Sequence, residues 1–170
     1  MEFFELVKNR HSIRAFQEKE VEPEKIEKIL NAANLAPSAG NLQAYKICVV
    51  KEKRAREKLS EAANQEFVAS APVVLVFLTD PDQSAQKYGS RGEKLYSLQD
   101  ATIACAYAQL AIADLGLASV WVGAFDEGAV SEAIDAPRNL RPVAILPIGY
   151  PAEKPKIKPR RPLSELTWER

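Results

Sequence analysis

Histidine and cysteine are nearly missing, with one His and two Cys among 170 residues. So few soft ligands make a His/Cys zinc site hard to assemble, and no metal is expected. His11 stands inside a basic cluster, which argues against a Ser-His-Asp triad. Cys48 and Cys105 lie far apart in apolar segments, and two buried thiols account for them without a disulfide. Net charge is also absent: 23 Lys and Arg balance 23 Asp and Glu. No global field draws in nucleic acid or an anionic membrane, so neither is an expected partner. No apolar run is long enough to span a bilayer. The opening MEFFELVKNR carries acids where a signal peptide has a basic region, so a cytoplasmic location is expected. No Gly-rich loop ends in Gly-Lys-Ser/Thr, no G-x-G-x-x-G follows the first strand and no G-x-S-x-G elbow surrounds a serine. With 46% hydrophobic and 27% charged residues, the chain reads as a soluble globular protein forming one domain over residues 1–170.

What is present is an alternation of helices and strands. Phe3, Leu6 and Val7 share a helical face over residues 2–9. Pro23 suits the first position of a second helix, in which Ile26, Ile29, Leu30 and Ala33 recur at helical spacing and which Pro37 ends. Tyr45–Val50 is a β-branched strand. Lys53–Ala63 is helical, and Val73–Thr79 is apolar throughout, as in a strand buried on both faces. DPDQSAQKYGSRG is a polar connection long enough for a lid or an extra turn. Residues 93–115 read as a helix that is apolar nearly all round from Ala101 to Ala113. Its many alanines permit close helix–helix approach. Ala118–Val122 is a strand, Asp126 caps a helix through Ile134, and Val143–Ile148 is a strand that Pro147 marks as an edge or an end. The tail from Pro151 has four prolines by Pro162 and is extended. It still carries Ile157, Leu163, Leu166 and Trp168, which implies packing, either on its own domain or on a second subunit.

Four segments hold groups suited to chemistry. Arg10, Ser12 and Arg14 alternate onto one side of an extended stretch around His11. Their donors suit a dianionic phosphate and the polar edge of a ring, although on spacing alone a solvated basic turn is the commoner explanation. Pro37-Ser38-Ala39-Gly40-Asn41-Leu42-Gln43 lets backbone approach a flat ligand, or is an ordinary helix-to-strand loop. Gly123 and Ala124, in Trp121–Phe125, can aim backbone N–H groups at a ligand, or simply make a tight turn. Lys158-Pro159-Arg160-Arg161 can close on a phosphate, or is a solvated basic stretch.

Together these segments change the reading. The succession R-H-S-I-R, P-S-A-G-N-L-Q, W-V-G-A-F, P-I-G-Y and P-R-R-P-L-S-E-L, with the long helix after RGEKLYSLQDA, resembles the FMN-dependent nitroreductase family over nearly the whole chain. The resemblance implies an α+β fold with a central, mainly antiparallel sheet flanked by helices. It implies a homodimer with the long helix at the interface and residues 151–170 as a domain-swapped arm over the partner. FMN would lie in two equivalent sites between protomers, with arginines of two chains converging on it. Carried over by residue, Arg10 and Ser12 contact phosphate or ribityl, His11 contributes mainly backbone, and Arg14 is the cation near flavin N1/O2. Pro37, Ser38, Gly40, Asn41 and Gln43 form the loop lent by the partner, and Asn64 or Gln65 bonds the pyrimidine. Gly123 and Ala124 are backbone donors near N5 and O4, while Arg160 and Arg161 close on the phosphate.

The chemistry is consistent with this layout. A phosphomonoester carries roughly −1.5 to −2 near neutrality, which calls for cations, and preorganised charge stabilises a ring that gains negative charge. The flavin carries the hard chemistry, so no side-chain acid, base or nucleophile is required. The expected reaction is ping-pong, from NADH or NADPH to a small flat acceptor such as a nitroaromatic or quinone. Alternatives are a reductive dehalogenase or flavin-fragmenting relative on the same fold, or a flavin-binding protein without turnover.

Overall fold

The computed structural model describes Glu2 to Arg170; Met1, the first residue of the expected domain, lies outside the described residues. Helix α1 (Phe3–Asn9) buries none of its residues, and Phe3 and Phe4 remain 59% and 84% exposed. Of its expected apolar face only Leu6 is half-buried, sharing a recess with Ile112 and Ala113. Helix α2 (Pro23–Asn34) begins with its proline and buries Ile26, Ile29 and Ala33. It stops short of Pro37, because the residue before a proline is kept out of helical geometry.

Strand β1 (Tyr45–Val50) is followed by α3 (Lys53–Ala63), the one-turn α4 (Phe67–Ser70) and β2 (Val73–Thr79). Every residue of β2 is buried. The polar connection after it is a helix rather than a loop: α5 (Pro81–Arg91) starts on Asp80, whose carboxylate accepts from the Gln83 amide. A single π turn, Gly92–Tyr96, leads into α6 (Ser97–Asp114). Only one face of α6 is buried, through Ala101, Ala104, Cys105, Ala108 and Ile112, while Ala106 and Tyr107 on the other side are exposed. The central helix is therefore covered by its own chain on one side only.

Strand β3 is shorter than expected, Ala118–Ser119, with one further bridge from Val122 to Ile145. Helix α7 (Glu127–Ala133) is capped by Asp126, which accepts from the Ala129 amide at 2.7 Å. Strand β4 spans Arg141–Gly149.

The four strands are antiparallel in the order β1-β2-β4-β3. Strand β4 is therefore interior, contrary to the reading of Pro147 as an edge or end marker. Backbone groups of alternate residues face the same neighbour. Ile145 exchanges both its bonds with Val122, and Gly149 pairs with Ala118. Pro147 falls between them on that side, at the gap in pairing around Val120 and Trp121. A proline is tolerated in an interior strand where no partner asks for its missing N–H.

The pleat of β2 divides the core in two. Val73, Leu75 and Phe77 pack with α2 and α6, where Ile29, Cys105 and Leu146 also lie. Val74, Val76 and Leu78 pack with α3 and α7, against Leu59, Val68 and Val130. The two cysteines belong to opposite layers: Cys105 is fully buried on the α6 side and Cys48 is half-buried toward α3. Burial pushes both thiols up from their ordinary pKa, Cys105 well up. Among the described residues no helix is long and apolar enough to cross a membrane.

Candidate functional site

The Arg10–Arg14 segment runs along the β3 edge of the sheet. Ser12 bridges Ser119 in parallel, and the Ile13 amide donates to the Ser119 carbonyl at 3.1 Å. Ile13 points inward and is buried, which turns Ser12 and Arg14 outward, while Arg10 is half-buried. Burial first, then the positive charge of Arg160, lowers the Arg10 guanidinium from its ordinary pKa. Arg160 of the same chain is thus near enough for its charge to act on Arg10. Among the described residues no carboxylate lies within ion-pair distance of Arg10. Arg161 has a partner of its own. Its Nε binds Glu165 Oε2 at 3.0 Å within the tail.

Glu153 holds this segment in place. Its Oε1 accepts from the amides of Arg14 at 2.6 Å and Ala15 at 3.2 Å. Around it Phe16 bridges Pro151 and the Ala152 amide donates to the Ala15 carbonyl. The first residues of the tail are therefore zipped to their own chain, and the tail departs only after Glu153. From Lys154 onward every tail residue is exposed.

The Arg14 guanidinium lies 6.0 Å from the centre of the Phe67 ring, at the outer limit of a cation–π contact. That brings Arg14 beside the turn holding Asn64 and Gln65. Asn64 adopts a left-handed φ of 49°, and the Gln65 carbonyl accepts from Ser60 Oγ. The Asp126 amide donates to the Ala62 carbonyl, which draws the Gly123–Ala124 turn toward the same edge. Both turn residues are exposed. His11 is half-buried and lines a recess of about 220 Å³ with Arg10, Ile13, Ile112, Ser119 and Glu153.

The loop Pro37–Gln43 lies elsewhere. It enters β1 at Tyr45, which is in register with Thr79 and, through it, Arg141 at one end of the sheet. Ser119 is in register with Ile148 at the other end of β4 and on the opposite edge. Strand geometry puts the two corners roughly 25–30 Å apart. Within one chain, then, Arg10, Ser12, Arg14, Gln65, Gly123, Ala124 and Arg160 share one edge, and the loop does not reach them.

This loop is firmly built. Gly40, Asn41 and Gln43 all have positive φ, 57°, 57° and 48°. Ser38 Oγ accepts from the Gln43 amide, and the Gln43 side chain donates to Asn34. Asp100, 2% exposed in α6, accepts from the Ala39 amide at 2.9 Å and the Ala44 amide at 3.3 Å. A buried carboxylate that serves two backbone amides is a strong reason for the loop to keep this shape. Sequence reasoning missed Asp100 and Glu153. A lone acid at the head of an alanine-rich helix was the available signal for Asp100; Glu153 had none.

The family model described as "Nitroreductase family" matches residues 7–69 and 60–150 of this chain. The chain belongs to the nitroreductase family. The matched ranges stop at residue 150, so the exposed tail lies beyond them. A nitroreductase relative from Archaeoglobus fulgidus, named NADH dehydrogenase/NAD(P)H nitroreductase, is 32% identical over 158 residues, covering 90% of this chain and 87% of its own. Among solved structures, a nitroreductase family protein of Clostridium difficile superposes with a TM-score of 0.88 at 38% identity, covering 99% of this chain and 98% of its own. The NADPH:FMN oxidoreductase of Vibrio harveyi, solved with NAD+, gives 0.89 at 28% identity over 98% of this chain and 76% of its own. The α+β architecture with an antiparallel sheet and flanking helices is that of these nitroreductases.

Proposed function

We propose that this chain is an NAD(P)H-dependent oxidoreductase that binds FMN and passes electrons to a small flat acceptor, as a homodimer with two shared sites. The observation that carries the reading is the β3 edge. A half-buried guanidinium, Arg10, lies there within reach of the charge of the exposed Arg160, beside an outward Ser12 and Arg14 and an exposed Gly123–Ala124 turn. Bringing two cations together costs free energy unless an anion joins them. A dianionic phosphate fits that pair, so the donor set suits a flavin mononucleotide.

FMN, when bound, supplies the hydride chemistry between nicotinamide and acceptor. The chain's own residues bind, orient and supply the field. Arg10 and Arg160 neutralise the phosphate, with Arg161 recruited from its Glu165 pair. Ser12 and the His11 backbone hold the ribityl chain, and Asn64 or Gln65 the pyrimidine. Arg14 places a fixed positive charge where the reduced ring is most negative. Gly123 and Ala124 present N–H groups to the ring's polar edge without a bulky side chain in the way.

The second protomer enters because the loop Pro37–Gln43 sits at the wrong corner of its own sheet. A twofold partner can bring the loop of one protomer to the arginine edge of the other. The exposed side of α6, the exposed α1 phenylalanines and the unburied apolar groups of the tail suit such an interface, with the domain closed by an arm over its neighbour.

The test is optical. The purified protein is expected to be yellow and to bleach anaerobically with NADH or NADPH; a colourless protein that refuses added FMN removes the idea. Stopped-flow reduction separates an enzyme from a flavin carrier without turnover. Arg14→Ala is expected to slow reduction roughly a hundredfold, the scale of losing one oriented charge-stabilising donor, with the dimer intact. Equal loss of flavin reduction and dimer would contradict the role given to Arg14.

A further inference from the structure

Helix α5 and the π turn carry a side-chain cluster that packing alone does not call for. The rings of Tyr88 and Tyr96 stand edge to face, 5.1 Å between centres and 86° apart. Arg91 Nε donates to the Tyr96 hydroxyl at 3.0 Å, with its guanidinium 5.4 Å from the ring centre. The Lys87 ammonium lies 5.5 Å from the Tyr88 ring centre. Both rings are half-buried and both cations exposed. Among the described residues, neither cation has a carboxylate within ion-pair distance.

This cluster lies directly on the loop given to the flavin. A Cβ added at Gly40 would come within 2.5 Å of the Tyr88 hydroxyl and 2.8 Å of Lys87 Nζ. Gly89, with φ 55° and ψ −143°, breaks α5 between Tyr88 and Arg91, a backbone shape open to glycine. The kink lets residues on both sides of it gather near the loop.

Aromatic faces and edges select flat rings. Unpaired guanidinium and ammonium groups select carboxylates, the guanidinium by paired donors. We propose that Lys87, Tyr88, Arg91 and Tyr96 form the acceptor side of the site and make it selective for flat aromatic rings bearing an anionic group such as a carboxylate. The proposal rests on the flavin reading above and names the substrate class of that site.

The holoenzyme is assayed with saturating NADH and either nitrobenzoate or nitrobenzamide as acceptor. A kcat/KM ratio of about tenfold in favour of the anion is expected, the upper scale of two exposed ion pairs. Lys87→Ala with Arg91→Ala should bring that ratio near unity, and Lys87→Arg should keep it. Lys58→Ala, an exposed lysine on α3, should leave it unchanged. Benzoate, which carries no nitro group, should bind the oxidised holoenzyme about tenfold more tightly than benzamide by calorimetry, and the double variant should lose that difference.

A yellow, active enzyme with no preference, or with a preference that survives the double substitution, overturns the proposal while leaving the flavin reading intact. So does a double variant that instead loses discrimination between NADPH and NADH in anaerobic reduction, since the cations would then serve the donor's extra phosphate. A colourless protein overturns both.

Discussion

Strand β2 and the tail are both rich in apolar side chains and meet opposite fates. All of Val73–Thr79 is buried. In the tail Ile157, Leu163 and Trp168 are 82%, 74% and 89% exposed. Strand β2 finds partners because two sheet neighbours and two helical layers of its own chain enclose it. Past Glu153 the tail is irregular apart from one 3-10 turn, Leu163–Glu165, a departure from the extended form expected throughout, and its apolar side chains stay outside those layers. Apolar groups that a chain leaves outside its own core point to another surface.

The largest expected effect is on the tail. Deleting residues 152–170 removes Glu153, Arg160 and every exposed apolar group of the tail. Loss of the dimer on gel filtration and of flavin absorbance is expected, with the far-ultraviolet dichroism of the sheet domain largely kept. Unchanged flavin content and size would mean that the tail's apolar groups are idle.

Phe77→Ala tests the other side. Phe77 is fully buried in the α6 layer, and its truncation should cost about 3–5 kcal/mol of stability in urea. In contrast, Trp168→Ala should weaken dimerisation by about 2 kcal/mol, the scale of an aromatic interface anchor. Its effect should depend on protein concentration. A Trp168→Ala protein with the wild-type dimer dissociation constant would sever the tail from the interface.

The smallest effect concerns a surface pair that belongs to neither region. Arg141 binds Glu127 through two bonds, 2.7 and 2.9 Å, and this partner holds the Glu127 carboxyl below its ordinary pKa. A carboxyl depressed by folding adds stability above its unfolded pKa, about 4.3 for glutamate, and loses it as pH falls through the folded value. Both side chains are half-exposed, so the gain is under about 1 kcal/mol. Glu127→Gln should lower the melting temperature slightly at pH 7, with the difference shrinking below about pH 4. A difference that grew on acidification would contradict the pairing.

Much of the fold was legible because its signals are local. Pro23 at a helix start, Asp126 as a cap and the unbroken apolar run of β2 each follow from the chemistry of a few neighbouring residues. Pro147 misled for the same reason. A proline reports its missing N–H, and only the pairing on both sides of β4 shows that nothing there asks for it. The connection after β2 misled because its polar composition suggested only a lid or an extra turn, whereas Asp80 and Pro81 open a helix. At the site, the arginines and the small-residue loop stood out by composition. Asp100 and Glu153 did not, since each acts on backbone more than fifty residues away.

The sequence alone determined most of the helix and strand segments, the absence of net charge and the motif order that resembles the nitroreductases, since these depend on residue type and short-range spacing. Only the tertiary structure decided that Arg10 lies within reach of the charge of Arg160 of its own chain, that the Gly40 loop stands at the far corner of the sheet, and that α5 bears on that loop. Those relations depend on strand order and register, which are set by the packing of distant segments and leave no periodic trace in the chain.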